Sequence, residues 1–141
     1  MNRRSLLALL GLGAAAAPAL AQQKKSAATH RVLFQVSDND PARWQLALNN
    51  ARNVQTDLGA QNVQIEIVAY GPGIEMLKGE SKVAGGLAGA LDASVGLIAC
   101  ENTMQNNKVS RDEMYGGVKY VQAGVTHIMR RQGEGWAYIR P

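Results

Sequence analysis

Apolar residues along this chain fall in blocks that switch between a strand period and a helix period. His30 to Val36 (HRVLFQV) is a near-continuous apolar run, which predicts a buried central strand rather than a one-sided one. Ser37-Asp38-Asn39-Asp40-Pro41 ends it, with Asp40 placed to cap a helix and Pro41 at its first position. Trp44, Ala47, Leu48, Ala51, Val54 and Leu58 then recur at helical spacing as one stripe, and Gly59 supplies the stop. Val63 to Tyr70 reads as a second strand, broken by Gly71-Pro72-Gly73, with one helical turn over Ile74 to Leu77.

The alternation continues to the end of the chain. Val83, Leu87 and Leu91 mark a second helix over Ser81 to Leu91. Gly85, Gly86 and Gly89 lower its propensity but permit close packing. Ser94 to Cys100 is a third strand. Ser110-Arg111-Asp112-Glu113 carries the signature of a capping box opening a short helix. Val118 to Val121 is a short strand. Ala123 to Gln132 is a helix with Val125, Ile128 and Met129 on its apolar face, and Trp136 to Ile139 is the last strand. Strands alternating with helices predict an α/β fold, a three-layer α/β/α sandwich around a mostly parallel sheet of about five strands.

The first residues have a different character. Arg3 and Arg4 precede an apolar run over Leu6 to Ala17, and Ala19-Leu20-Ala21 has the small-x-small form of a cleavage site. Residues 1–21 are therefore expected to be a signal peptide, 22–29 a polar tether and 30–141 the folded domain. The expected location is periplasmic or otherwise exported, by the twin-arginine or the general secretory route. Arg3-Arg4-Ser5-Leu6-Leu7 partly matches the twin-arginine pattern. No other stretch has spanning length, so no membrane association is expected after cleavage.

Cleavage also changes the charge. Losing Arg3 and Arg4 takes the basic residues from 15 to 13 against 11 acids, and the net charge from +4 to +2. Neither terminus has the long basic stretch with interleaved aromatics of a nucleic-acid surface, so no nucleic-acid partner is expected. No metal-ligand spacing and no phosphate or dinucleotide motif occurs, so no metal or cofactor is expected.

In open α/β sheets ligands bind beyond the carboxyl ends of strands. Asp38, Gly71, Cys100 with Asn102 and Thr103, and the Val121-Gln122-Ala123-Gly124 turn all arrive at that edge. Cys100 is the only cysteine of the chain, so it makes no intramolecular disulfide. Spacing leaves two readings open: a nucleophile steadied by backbone N–H groups, or an inert core cysteine. Asn102 and Thr103 are placed either to cap the loop or to hydrogen-bond a bound anion. With Asp38 and Gly71 they form the candidate substrate-binding set. Adjacent Glu101 would raise the thiol's pKa, and His30 and His127 are expected in structural or surface roles.

Ile98-Ala99-Cys100-Glu101-Asn102-Thr103-Met104 resembles the ACxNTM signature of the DsrE-like family. Val121-Gln122-Ala123-Gly124-Val125, the ending Glu134-Gly135-Trp136-Ala137-Tyr138-Ile139-Arg140-Pro141, and the first two strand ends are similar to it as well. The resemblance spans about Arg31 to Pro141. It implies a flavodoxin-like sandwich, assembly into homo-oligomers (a trimer or hexamer), and Cys100 as the site of a persulfide. The sulfur-relay members differ after their cysteine, where this chain continues ENTMQNNKVS. The resemblance thus implies an exported sulfur carrier or sulfurtransferase-like protein, with a sulfur donor or acceptor protein as partner. The alternative expectation is a non-catalytic homo-oligomeric module binding a small ligand or partner.

Overall fold

Strand β1 (His30–Val36) and helix α1 (Pro41–Leu58) fall where the hydrophobic pattern places them. The computed structural model describes residues 28–141, so the expected signal peptide and residues 22–27 of the tether lie outside the described residues. Asp40 Oδ1 accepts the Ala42 N–H at 2.9 Å, a cap that contributes about 1 kcal/mol. Trp44, Ala47, Leu48 and Ala51 bury on the sheet, with Val54 and Leu58 packed at its margin. Gly59 leaves the helix at φ 87°, a conformation open to glycine.

After β2 (Val63–Ala69) the chain does more than break at its glycines. Gly71–Leu77 winds as a 3-10 helix that buries Ile74, Met76 and Leu77. A Cβ on Gly73 would collide with the Val36 carbonyl group, so only glycine lets this turn pass under the end of β1. Helix α2 (Ala84–Asp92) starts three residues later than its pattern predicts. Ser81 there holds a turn instead, its Oγ accepting the Val83 N–H at 3.3 Å.

Then come β3 (Gly96–Cys100), α3 (Glu101–Asn106), β4 (Lys119–Val121), α4 (Gly124–Gly133) and β5 (Ala137–Ile139). The expected capping box forms, with Glu113 Oε2 accepting the Ser110 N–H at 2.8 Å. It opens a single 3-10 turn, Arg111–Glu113, rather than an α-helix.

The sheet has the order β4-β3-β2-β1-β5, and every pair is parallel. Three successive steps in one direction put their connections on one face, and the reversed step from β4 to β5 puts α4 on the other, as right-handed crossovers require. The first face carries the main core, where α1 and α2 meet Val32, Phe34, Ile65, Ile67 and Leu97. The second face has a smaller core of Leu33, Val68, Ile98, Ile128 and Trp136. This is the expected three-layer α/β sandwich, with an all-parallel sheet.

The expected apolar face of α4 is not the face that packs. Ile128 is buried, but Val125 and Met129 are 59% and 64% exposed. The sheet beneath α4 is only partly apolar, because Gln35 and Glu66 are buried in it. The helix therefore meets it with His127, Ile128 and Arg131. No helix among the described residues is long and apolar enough to cross a membrane.

Candidate functional site

Adjacent strands whose connections leave on opposite faces open a crevice between their carboxyl ends. Here those strands are β3 and β4. Met104 of α3 joins the core on the α1–α2 face, whereas α4 covers the other. Cys100 is the last residue of β3, the cap residue of α3, and pairs in register with Val121. The crevice is clasped by two hydrogen bonds. The Asn102 N–H donates to the Gln122 carbonyl at 3.0 Å, and Gln122 Nε2 donates to Asn102 Oδ1 at 2.5 Å.

Cys100 points to the α4 side, beneath the first turn of that helix. A Cβ on Gly124 would stand 3.3 Å from Cys100 Cβ and 3.2 Å from Tyr70 Cβ. Glycine at this position lets the N-terminus of α4 approach the sulfur. The thiol is 5% exposed, and its Sγ lies 3.9 Å from the Gln122 carbonyl oxygen, its acceptor when protonated.

Burial pushes the Cys100 thiol up. The Thr103 hydroxyl and the backbone N–H groups of Gly124, Thr103 and Asn102 together outweigh that, and hold it below the ordinary thiol range. Thr103 Oγ1 accepts the Gly71 N–H at 2.8 Å, which leaves the hydroxyl proton to point at sulfur. These surroundings, the cradle of Cys100, favour the thiolate, the nucleophilic form of a cysteine.

Of the expected site residues, Cys100, Asn102, Thr103 and Gly71 come together in this hydrogen-bonded cluster. Asp38 does not join it. Its carboxylate faces Arg43 at 3.4 Å and Arg140 at 3.9 Å, and its carbonyl accepts Trp44 Nε1 at 2.8 Å. Glu101 is held by Arg111 at 2.6 Å, whose guanidinium stacks 4.2 Å above the Tyr120 ring. His127 Nε2 lies 2.7 Å from Glu66 Oε2, so the imidazole is tied to the sheet. Among the described residues no group of three or more His, Cys, Asp or Glu side chains could hold a metal ion.

Tyr70, Gln122 and Gly124 complete the site, and the sequence pattern does not pair them with Cys100. The Val121–Gly124 turn is legible as an edge segment, but only the strand order puts it beside β3. Tyr70 is further fixed by Gln35, whose Nε2 donates to the phenol oxygen at 2.9 Å.

Among solved structures, this chain is similar to the protein of unknown function MTH1491 from Methanobacterium thermoautotrophicum, at 40% identity and a TM-score of 0.76. The alignment covers 79% of this chain and 99% of the archaeal one. The chain belongs to the family of that archaeal protein. No protein-family model and no curated protein matches it.

Proposed function

We propose that this protein is an exported, DsrE-like sulfur carrier that holds a persulfide on Cys100. The observation that carries the reading is the buried Cys100 sulfur at the β3–β4 switch point, packed beneath Gly124 at the start of α4, in surroundings that hold it below the ordinary thiol range. The ACxNTM resemblance supports it. In loading, the thiolate attacks the outer sulfur of a sulfane donor. With thiosulfate, a new S–S bond forms on Cys100, the donor's S–S bond breaks, and sulfite leaves with the bonding electron pair. In discharge, an acceptor thiolate attacks the outer sulfur, and Cys100 leaves as the thiolate that the cradle stabilises. The same donors serve the attacking and the leaving sulfur, so both directions use one geometry.

The loaded protein, freed of donor, should pass one sulfur atom to a small acceptor thiol and regain its free thiol. A persulfide that survives a large excess of acceptor contradicts the carrier reading. The proposed assembly is a homo-oligomer, trimer or hexamer, and the proposed partner is a protein sulfur donor or acceptor.

A second reading, a non-catalytic oligomeric module that binds a small ligand or partner, is favoured by the burial of the thiol and by a groove of about 530 Å³ beside α4, lined by Glu66, Ile98, Lys119, Val121, His127 and Arg131. Native mass spectrometry separates the two. A retained non-sulfur ligand that persists in Cys100→Ala belongs to this second reading.

A further inference from the structure

We propose that Glu66 is a positioning residue for Cys100, holding the N-terminus of α4 against the sulfur through its grip on His127 and Arg131. This rests on the reading of Cys100 as a reactive thiolate.

Glu66 projects from the middle of β2 onto the α4 face and is nearly sealed from solvent. One carboxylate oxygen lies 2.7 Å from His127 Nε2 and 3.3 Å from Arg131 Nε, and the other lies 2.6 Å from Arg131 Nη2. Both partners sit on α4, one turn apart. Arg131 is itself braced by Glu134 at 2.9 Å and by the Trp136 ring 4.6 Å away. These are the charged groups that face Glu66 from α4 and the segment after it.

The helix needs such an anchor. Its buried residues are Gly124 and Ile128, while Val125 and Met129 face solvent. The anchor lies close to the site in the helix as well. His127 is one turn from Gly124, and its N–H closes the first turn on the Ala123 carbonyl at 3.0 Å. That turn carries Gly124, whose backbone N–H is among the groups that lower the Cys100 pKa. A Cβ on Gly124 would stand 3.2–3.3 Å from Tyr70 and Cys100, so the start of α4 is packed against the cysteine and the seating of the helix sets that contact. A buried carboxylate on β2 therefore sets the properties of a thiol on β3 without touching it.

The test is the pH–rate profile of Cys100 alkylation by iodoacetamide in the full folded chain, for wild type, Glu66→Gln, His127→Gln and Asp57→Asn, each with its thermal melting curve. Glu66→Gln keeps size and removes the charge. His127→Gln keeps the Glu66–Arg131 pair, and so serves if Glu66→Gln does not fold. The expected result is a midpoint about half a pKa unit higher in Glu66→Gln and in His127→Gln, which cuts the rate on the acid side about threefold. Asp57→Asn, exposed on α1 across the sheet from Glu66, should leave the midpoint in place. A lowered wild-type midpoint that stays put in the folded variants overturns this inference alone. A wild-type midpoint at or above the ordinary thiol value overturns the cradle and this inference together.

Discussion

At the scale of residues, burial favours the Cys100 thiol, and the Thr103 hydroxyl with neighbouring backbone N–H groups outweighs it in favour of the thiolate. Thr103 is the side chain in that set, so Thr103→Val should raise the alkylation midpoint and slow the reaction about threefold on its acid side. Thr103→Ser should restore it, because the serine hydroxyl can also accept from Gly71 and donate to sulfur. The same shift appears as stability. A folded-state pKa below the unfolded value contributes stability that is present above the unfolded value and is lost as pH falls through the folded one. Wild type should therefore gain melting temperature over Cys100→Ser as pH rises between the two midpoints, and a difference that stays flat across that window contradicts the cradle. Cys100, Asn102 and Thr103 are legible in the sequence because a buried strand runs directly into polar residues. Tyr70 and Gly124 are legible only as parts of segments that reach the same edge, because their contact with Cys100 is proximity across strands. Glu66 reads as the polar position of an alternating strand, and only the helix laid over it makes it a buried ion.

At the scale of elements, two glycines set close approaches. Gly73 has backbone atoms of β1 where a side chain would begin, and backbone cannot swing away. Gly73→Ala should destabilise the fold by about 3 kcal/mol or more, measured by denaturant unfolding. Gly124 is less crowded, but its neighbours are Cβ atoms fixed to the central sheet, so α4 itself must move. Gly124→Ala should leave the protein folded and shift the Cys100 midpoint upward. A wild-type profile in Gly124→Ala contradicts the close approach of α4. Helix α4 also marks where periodicity misleads. Val125, Ile128 and Met129 share a helical face, but a sheet bearing Glu66 selects the neighbouring face with His127 and Arg131. Of the 3-10 helix over Gly71–Leu77, the expected turn at Ile74–Leu77 is legible and its earlier start at Gly71 is not, since glycine and proline announce a break without fixing the conformation within it.

At the scale of the molecule, element order carries most of the fold: five strand patterns separated by helical ones leave few arrangements besides a parallel sheet with two covered faces. The strand order cannot be read along the chain, and it is the strand order that creates the β3–β4 crevice. The sandwich is unequal, with α4 on the face opposite α1 and α2, and Val125 and Met129 of α4 are exposed. Light scattering should find the proposed assembly of three or six chains. A wild-type monomer at micromolar concentration contradicts the assembly. The central claim, a sulfur-accepting Cys100, is tested most directly by intact mass spectrometry of the purified protein after incubation with polysulfide or thiosulfate and removal of the donor. The account predicts one added sulfur atom on wild type and none on Cys100→Ser; no added mass on wild type, or the same gain on both proteins, would contradict it.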